Sequence, residues 1–137
     1  MDSIKIVAGP FTFQATLNTA DTPKTCAWFQ DQLPYRSKVI HARWSGEAVW
    51  IPLADLATGL EYENHTAYPA RGDILLYPGG ISEIEILFAY GSSQFASKMG
   101  VLAGNHFLTI TEGRDQLAEF GKLVLWQGAQ DIIFSAT

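Results

Sequence analysis

His41 and Arg43 lie two residues apart, and so do Glu83 and Glu85. On a β-strand such pairs project from one face. Ile40, Ala42 and Trp44 would then form the apolar face behind His41 and Arg43, and Ile84, Ile86, Phe88 and Tyr90 the row behind the glutamates. Arginine presents a planar fork that fits a carboxylate or polarises a carbonyl. Histidine titrates near neutrality and can carry a proton. Carboxylates held side by side repel when both are ionised, which raises the proton affinity of one and suits it to general acid–base work. These four residues are the candidate catalytic groups. The competing reading leaves both pairs on a wet strand exterior, solvated or beside lysines.

Asparagine precedes histidine twice, in Glu63-Asn64-His65 and in Asn105-His106. Asn64 and Asn105 can orient a ligand by hydrogen bonds, with Glu63, His65 and His106 beside them. Glu47 flanks a turn, and Trp44 and Tyr77 can wall a pocket, which completes the ligand-binding candidates. Each also has a plain structural role open to it: solvation for the glutamates, a core hydrogen bond for His106, a strand end for Tyr77. Three imidazoles and a carboxylate suit Zn²⁺ or Fe²⁺. No His-x-His or His-Glu-x-x-His pair occurs, however, and each histidine lies on its own segment, so no metal and no cofactor is expected. Tyr77-Pro78-Gly79-Gly80 is too short and misplaced for a phosphate loop. No serine has a Gly-x-Ser-x-Gly context. Cys26 reads as inert packing, and Trp44, Trp50 and Trp126 mainly as core.

The elements that must position these groups are mostly strands. Residues 4–8 and 11–17 read as two strands joined at a Gly9-Pro10 turn, the second alternating cleanly in polarity. Thr22 as N-cap and Pro23 at the first helical position open a helix whose inward stripe is Cys26, Phe29 and Leu33, and Pro34 ends it. Period two then returns over 38–44, 47–53, 73–77, 83–90 and 105–111. A short helix over 115–121 and late strands at 123–126 and 131–134 finish the chain. Many short strands with Gly/Pro turns and one or two helices predict a closed barrel or sandwich.

Thr22-Pro23-Lys24-Thr25-Cys26-Ala27-Trp28-Phe29 resembles the first-helix motif of cyclophilins, and the strand carrying His41-Ala42-Arg43 follows at a similar distance. Ala103-Gly104-Asn105-His106-Phe107-Leu108-Thr109-Ile110 is similar to a later cyclophilin strand. The resemblance implies a mainly β protein, a closed antiparallel barrel of about eight strands capped by one or two helices. It places Arg43 where the cyclophilin arginine meets its prolyl substrate. The Phe-x-Met-x-Gln pattern of the cyclophilin proline pocket is missing after Arg43. The blocks His41–Glu47, Glu63–His65, Leu76–Gly80 and Ala103–Phe107 resemble instead a bacterial cyclophilin-like family of unknown function, itself similar to cucumopine and mikimopine synthases. Those opine-forming enzymes join histidine to a 2-oxo acid by a Pictet–Spengler-type condensation.

Composition sets the bounds. The 137 residues fit one domain, expected to span 1–137. Hydrophobic residues make up 47% and charged ones only 17%, against roughly 25% in soluble domains, which excludes disorder. A single cysteine excludes a disulfide framework. A net charge of −5 disfavours nucleic-acid binding. No apolar run is long enough to span a membrane and no secretory signal pattern opens the chain, so the cytoplasm is the expected location. So uncharged a surface suits a ligand, a partner or a second copy of the chain. The expected function is an enzyme acting on a small carboxylate-bearing amino-acid or oxo-acid metabolite. A prolyl isomerase and a non-catalytic ligand-binding protein are the alternatives.

Overall fold

The computed structural model describes residues 2–54 and 56–137. In chain order the elements are β1 (Ser3–Ala8), β2 (Phe11–Leu17), α1 (Pro23–Asp31), β3 (Tyr35–His41), β4 (Gly46–Ala54), β5 (His65–Thr66), β6 (Asp73–Tyr77) and β7 (Ile84–Ser93). They continue with β8 (Ala96–Ser97), β9 (Gly100–Val101), β10 (Gly104–Glu112), a 3₁₀ turn (Arg114–Gln116), α2 (Leu117–Gln127) and β11 (Gln130–Ala136).

The main sheet runs β2-β1-β11-β3-β4-β7-β6-β10, and β10 pairs back onto β2, so these eight strands close into an antiparallel barrel. Alternation fills its interior. Phe13, Ala15 and Leu17 of β2 point inward while Thr12 and Thr16 face out. Phe13, Phe88 and Phe120 meet ring to ring at 5.2–5.9 Å. Because β2 and β10 are antiparallel, α1 (after β2) and α2 (after β10) plug opposite ends. Phe29 of α1 meets Phe107 and Phe134, and Leu117, Phe120 and Val124 of α2 reach the other end.

A second apolar cluster lies outside the barrel wall. Ala48 of β4, Leu87 of β7, and Leu75 and Tyr77 of β6 are covered there by Phe95 and Leu102. Those two residues anchor the base of the β8–β9 hairpin, a two-stranded sheet of its own.

Four expectations are corrected. Residues 123–126 are helical, part of α2, because Leu117, Phe120, Gly121 and Val124 bury one stripe at helical spacing. Trp126 and Trp44 are 77% and 56% exposed rather than core. Thr22 precedes α1 but its hydroxyl donates back to Asn18 O (2.7 Å) instead of capping the helix. The strand expected over 38–44 ends at His41, because Ser45 is drawn onto the β8–β9 hairpin through paired bonds to the backbone of Ala96. Its faces are also reversed: His41 pairs with core residue Val49 on the inward face, while Ile40, opposite Trp50, and Ala42 lie on the outer one.

Candidate functional site

β7 runs with its inner row, Ile86, Phe88 and Tyr90, in the barrel core and its outer row facing the second cluster. Glu85 belongs to the outer row, paired across the sheet with Pro52 of β4 and Tyr77 of β6. Glu83 lies before the strand begins and is exposed. The same period that puts two glutamates on one face therefore gives them opposite environments.

A cleft of about 560 Å³ opens on this outer face. The 42–45 turn forms one wall, the 81–83 loop another, and the β8–β9 hairpin a third, with Trp50 and Glu85 on the sheet between them. Tyr77 holds the loop in place: its buried hydroxyl accepts the backbone N–H groups of Ile81 (2.9 Å) and Ser82 (3.2 Å).

Glu85 is only 7% exposed and has no hydrogen bond or ion pair among the described residues. Burial first, and the neighbouring Glu83 charge second, push its carboxyl up to about 8. A carboxyl so raised keeps its proton at neutral pH. Arg43, on the 42–45 turn that borders the same cleft, is exposed and lies over the Trp44 ring, 5.9 Å from its centre. Lys98 of the hairpin borders the same space. Neither cation forms an ion pair among the described residues, so both are free to meet an anion.

His41 also borders the cleft, but its ring is fully engaged. Nδ1 donates to Ala42 O (2.8 Å), which leaves Nε2 to accept the Tyr90 hydroxyl at 2.7 Å. His41 thus braces the turn that carries Arg43.

The structure gathers His41, Arg43, Trp44, Glu83 and Glu85 around one cleft, with Tyr77 behind its wall. The other candidates lie elsewhere. Fully buried Asn105 accepts the Glu63 N–H (3.0 Å) and donates to Thr25 Oγ1 (3.0 Å) and Glu61 O (2.9 Å). Glu63 in turn accepts the Thr25 N–H at 2.6 Å, capping α1 from a distant loop. Asn64 takes a left-handed conformation (φ 46°) that asparagine tolerates. His65 stacks on Tyr62 at 4.4 Å. His106, on a bulge of β10, meets Thr109 Oγ1 at 2.8 Å and Asp73 at 3.2 Å. Glu47 lies on a separate groove beside Tyr90. Among the described residues no group of three or more His, Cys, Asp or Glu side chains could hold a metal ion.

Sequence reasoning missed Trp50, Ile81, Lys98 and Met99 as cleft residues. Trp50 carried a signal, since alternation from Ala48 and Pro52 sets its face. The hairpin residues carried none, because a short covering loop has no period.

The chain belongs to the family described as a protein of unknown function, DUF3830, whose match spans residues 4–136. No curated protein matches it. Its fold is cyclophilin-like. McbB, solved in complex with tryptophan, shares it at TM-score 0.76 and 20% identity, over 98% of this chain and 44% of McbB. The chain therefore spans less than half of that protein. A hypothetical protein of Archaeoglobus fulgidus aligns at TM-score 0.67 and 16% identity, over 98% of this chain and 94% of that one. A cyclophilin-type peptidyl-prolyl cis-trans isomerase of Cryptosporidium parvum, solved in the presence of the dipeptide Ala-Pro, aligns at TM-score 0.58 and 14% identity, over 98% and 99%.

Proposed function

We propose that this member of a family of unknown function is an enzyme that condenses a small amine with a carboxylate-bearing carbonyl compound, using Glu85 as its acid–base group. The observation that carries the reading is Glu85 itself: a carboxyl without a partner among the described residues, buried beside the cleft and held protonated to about 8. A group that titrates near working pH can both give and take a proton. The amine nitrogen adds to the carbonyl carbon and passes one of its protons to the oxygen, which takes a second proton from Glu85 and leaves as water. A nucleophilic ring carbon of the amine then closes onto the iminium carbon, and the Glu85 carboxylate removes the proton from that ring carbon. One water leaves and Glu85 ends as it began. Arg43, which borders the same cleft and has no ion pair among the described residues, would hold the carboxylate. Trp44 and Trp50 would bound a planar ring. The resemblance of the His41–Glu47 block to a cyclophilin-like family that is itself similar to opine synthases supports the same chemistry.

The test is incubation with L-histidine, L-tryptophan or tryptamine and pyruvate or 2-oxoglutarate, with product detected by mass as the sum of both reactants less water. Glu85→Gln is expected to lower kcat about 10²-fold or more. Arg43→Ala is expected mainly to raise KM for the oxo acid. Product formation unchanged in Glu85→Gln would sink the assignment. A second reading, prolyl isomerisation, has one supporting feature: an unpaired arginine over a cleft walled by Trp50, Ile81 and Met99. Turnover of a proline peptide that vanishes in Arg43→Ala would put it first.

A further inference from the structure

A second groove, of about 810 Å³, lies where α2 meets the ends of β4 and β7. It is lined by one acid and two cations: Glu47 on the sheet, Arg71 on the loop before β6, and Lys122 on α2. None of the three forms an ion pair among the described residues. Glu47 accepts the Ser92 N–H through Oε1 (2.8 Å), which leaves Oε2 without a bond among those residues. Arg71 donates from Nη2 to Arg114 O (2.7 Å) and retains its other donors. Leu125 and Trp126, 50% and 77% exposed, complete an apolar side. This chain holds only 9 lysines and arginines, so two of them lining one groove with a glutamate and an exposed indole, none of the three charged groups ion-paired among the described residues, make a specific arrangement.

We propose that this groove is a second small-molecule site, for a free α-amino acid with an aromatic or bulky apolar side chain. Glu47 meets the ammonium, Lys122 and Arg71 meet the carboxylate, and Trp126 and Leu125 cover the side chain. The occupant is felt in the first cleft. Tyr90 lines the groove and donates to His41 Nε2, and His41 Nδ1 donates to Ala42 O, next to Arg43. Tyr90 has little freedom to absorb a displacement, since its ring lies flat against Gly121 of α2, where a Cβ would strike it. A ligand pressing on α2 or on the Tyr90 hydroxyl therefore moves the Arg43 turn rather than being cushioned.

Calorimetric titration of L-tryptophan and L-leucine, with amide NMR on the same samples, tests this. Saturable binding is expected for the unaltered protein, weakened about tenfold or more by Lys122→Glu and by Trp126→Ala, both exposed positions. Glu85→Gln and Arg43→Ala should bind as the parent does. Tryptamine and indole-3-propionate, each lacking one charge, should bind more weakly. Amides of Ala42 and Arg43 should shift on binding, and not in Tyr90→Phe. Absence of binding at about 10 mM overturns the site. So does affinity lost in Glu85→Gln but kept in Lys122→Glu, which instead places the amino acid in the first cleft and supports the condensation reading. Failure of condensation activity alongside binding lost in Lys122→Glu leaves this groove standing and removes only the proposed reaction. Groove binding without any shift at Arg43 overturns the coupling.

Discussion

At the scale of single residues the telling contrast is Glu83 against Glu85. Their spacing was legible as a shared strand face, and that is where legibility stopped, because depth is set by what the sheet lays over each residue. Pro52 and Tyr77 flank Glu85, whereas Glu83 falls outside the ladder. The raised carboxyl has a consequence for stability, with a definite sign. Below pH 4.5, the ordinary value, both folded and unfolded states keep the proton. Between 4.5 and about 8 the unfolded chain releases a proton that the folded one retains, so stability falls as pH rises and levels off above 8. The loss is at most about 5 kcal/mol, at ~1.4 kcal/mol per pH unit, and water in the cleft reduces it. Glu85→Gln should remove this slope. Melting temperatures at pH 5 and pH 9 are expected to differ less in the variant, and an unchanged difference would falsify the buried-acid description. His41 teaches the converse. Its residue type suggested a proton carrier, yet both ring nitrogens are taken by Ala42 O and Tyr90, partners 1 and 49 residues away.

At the scale of elements, α1 shows how far local signals reach. Pro23 and the Cys26–Phe29 stripe announced the helix, and the structure starts it at Pro23. Its cap could not be read, because the group that performs it, Glu63, is 38 residues from Thr25 in sequence. A candidate ligand residue thus turns out to satisfy a helix N-terminus, where a carboxylate is favoured by the unpaired N–H groups. Glu63→Ala should destabilise the protein by about 1 kcal/mol in urea unfolding with m unchanged, while Glu63→Gln should recover part of that. A loss near zero would remove the capping role. The segment 123–126 failed for a different reason. Four consecutive apolar or aromatic residues satisfy either period, and only the longer window from Leu117 to Val124 resolves it as helix.

At the scale of the whole molecule, closure of β10 onto β2 leaves the eight barrel strands paired on both sides and joins them around one interior. Phe88, fully buried between Phe13 and Phe120, should cost about 3–5 kcal/mol when replaced by alanine, through lost contacts and the cavity left behind. The β8–β9 hairpin lies outside that ladder with exposed residues 98–101, so its amides should exchange with solvent faster than those of β4 and β7. Hydrogen exchange by mass checks this, and equal protection would contradict it. The amino-acid sequence by itself determined the strand-rich architecture, the helix at Pro23, the inner faces of β2 and β7 and the types of group available for chemistry. Those follow from alternation, turn residues and capping preferences, which act over a few residues. Only the tertiary structure decided which glutamate is buried, which histidine braces a turn and which loop walls the cleft. Each depends on contacts between segments tens of residues apart, and barrel closure, rather than local preference, sets those contacts.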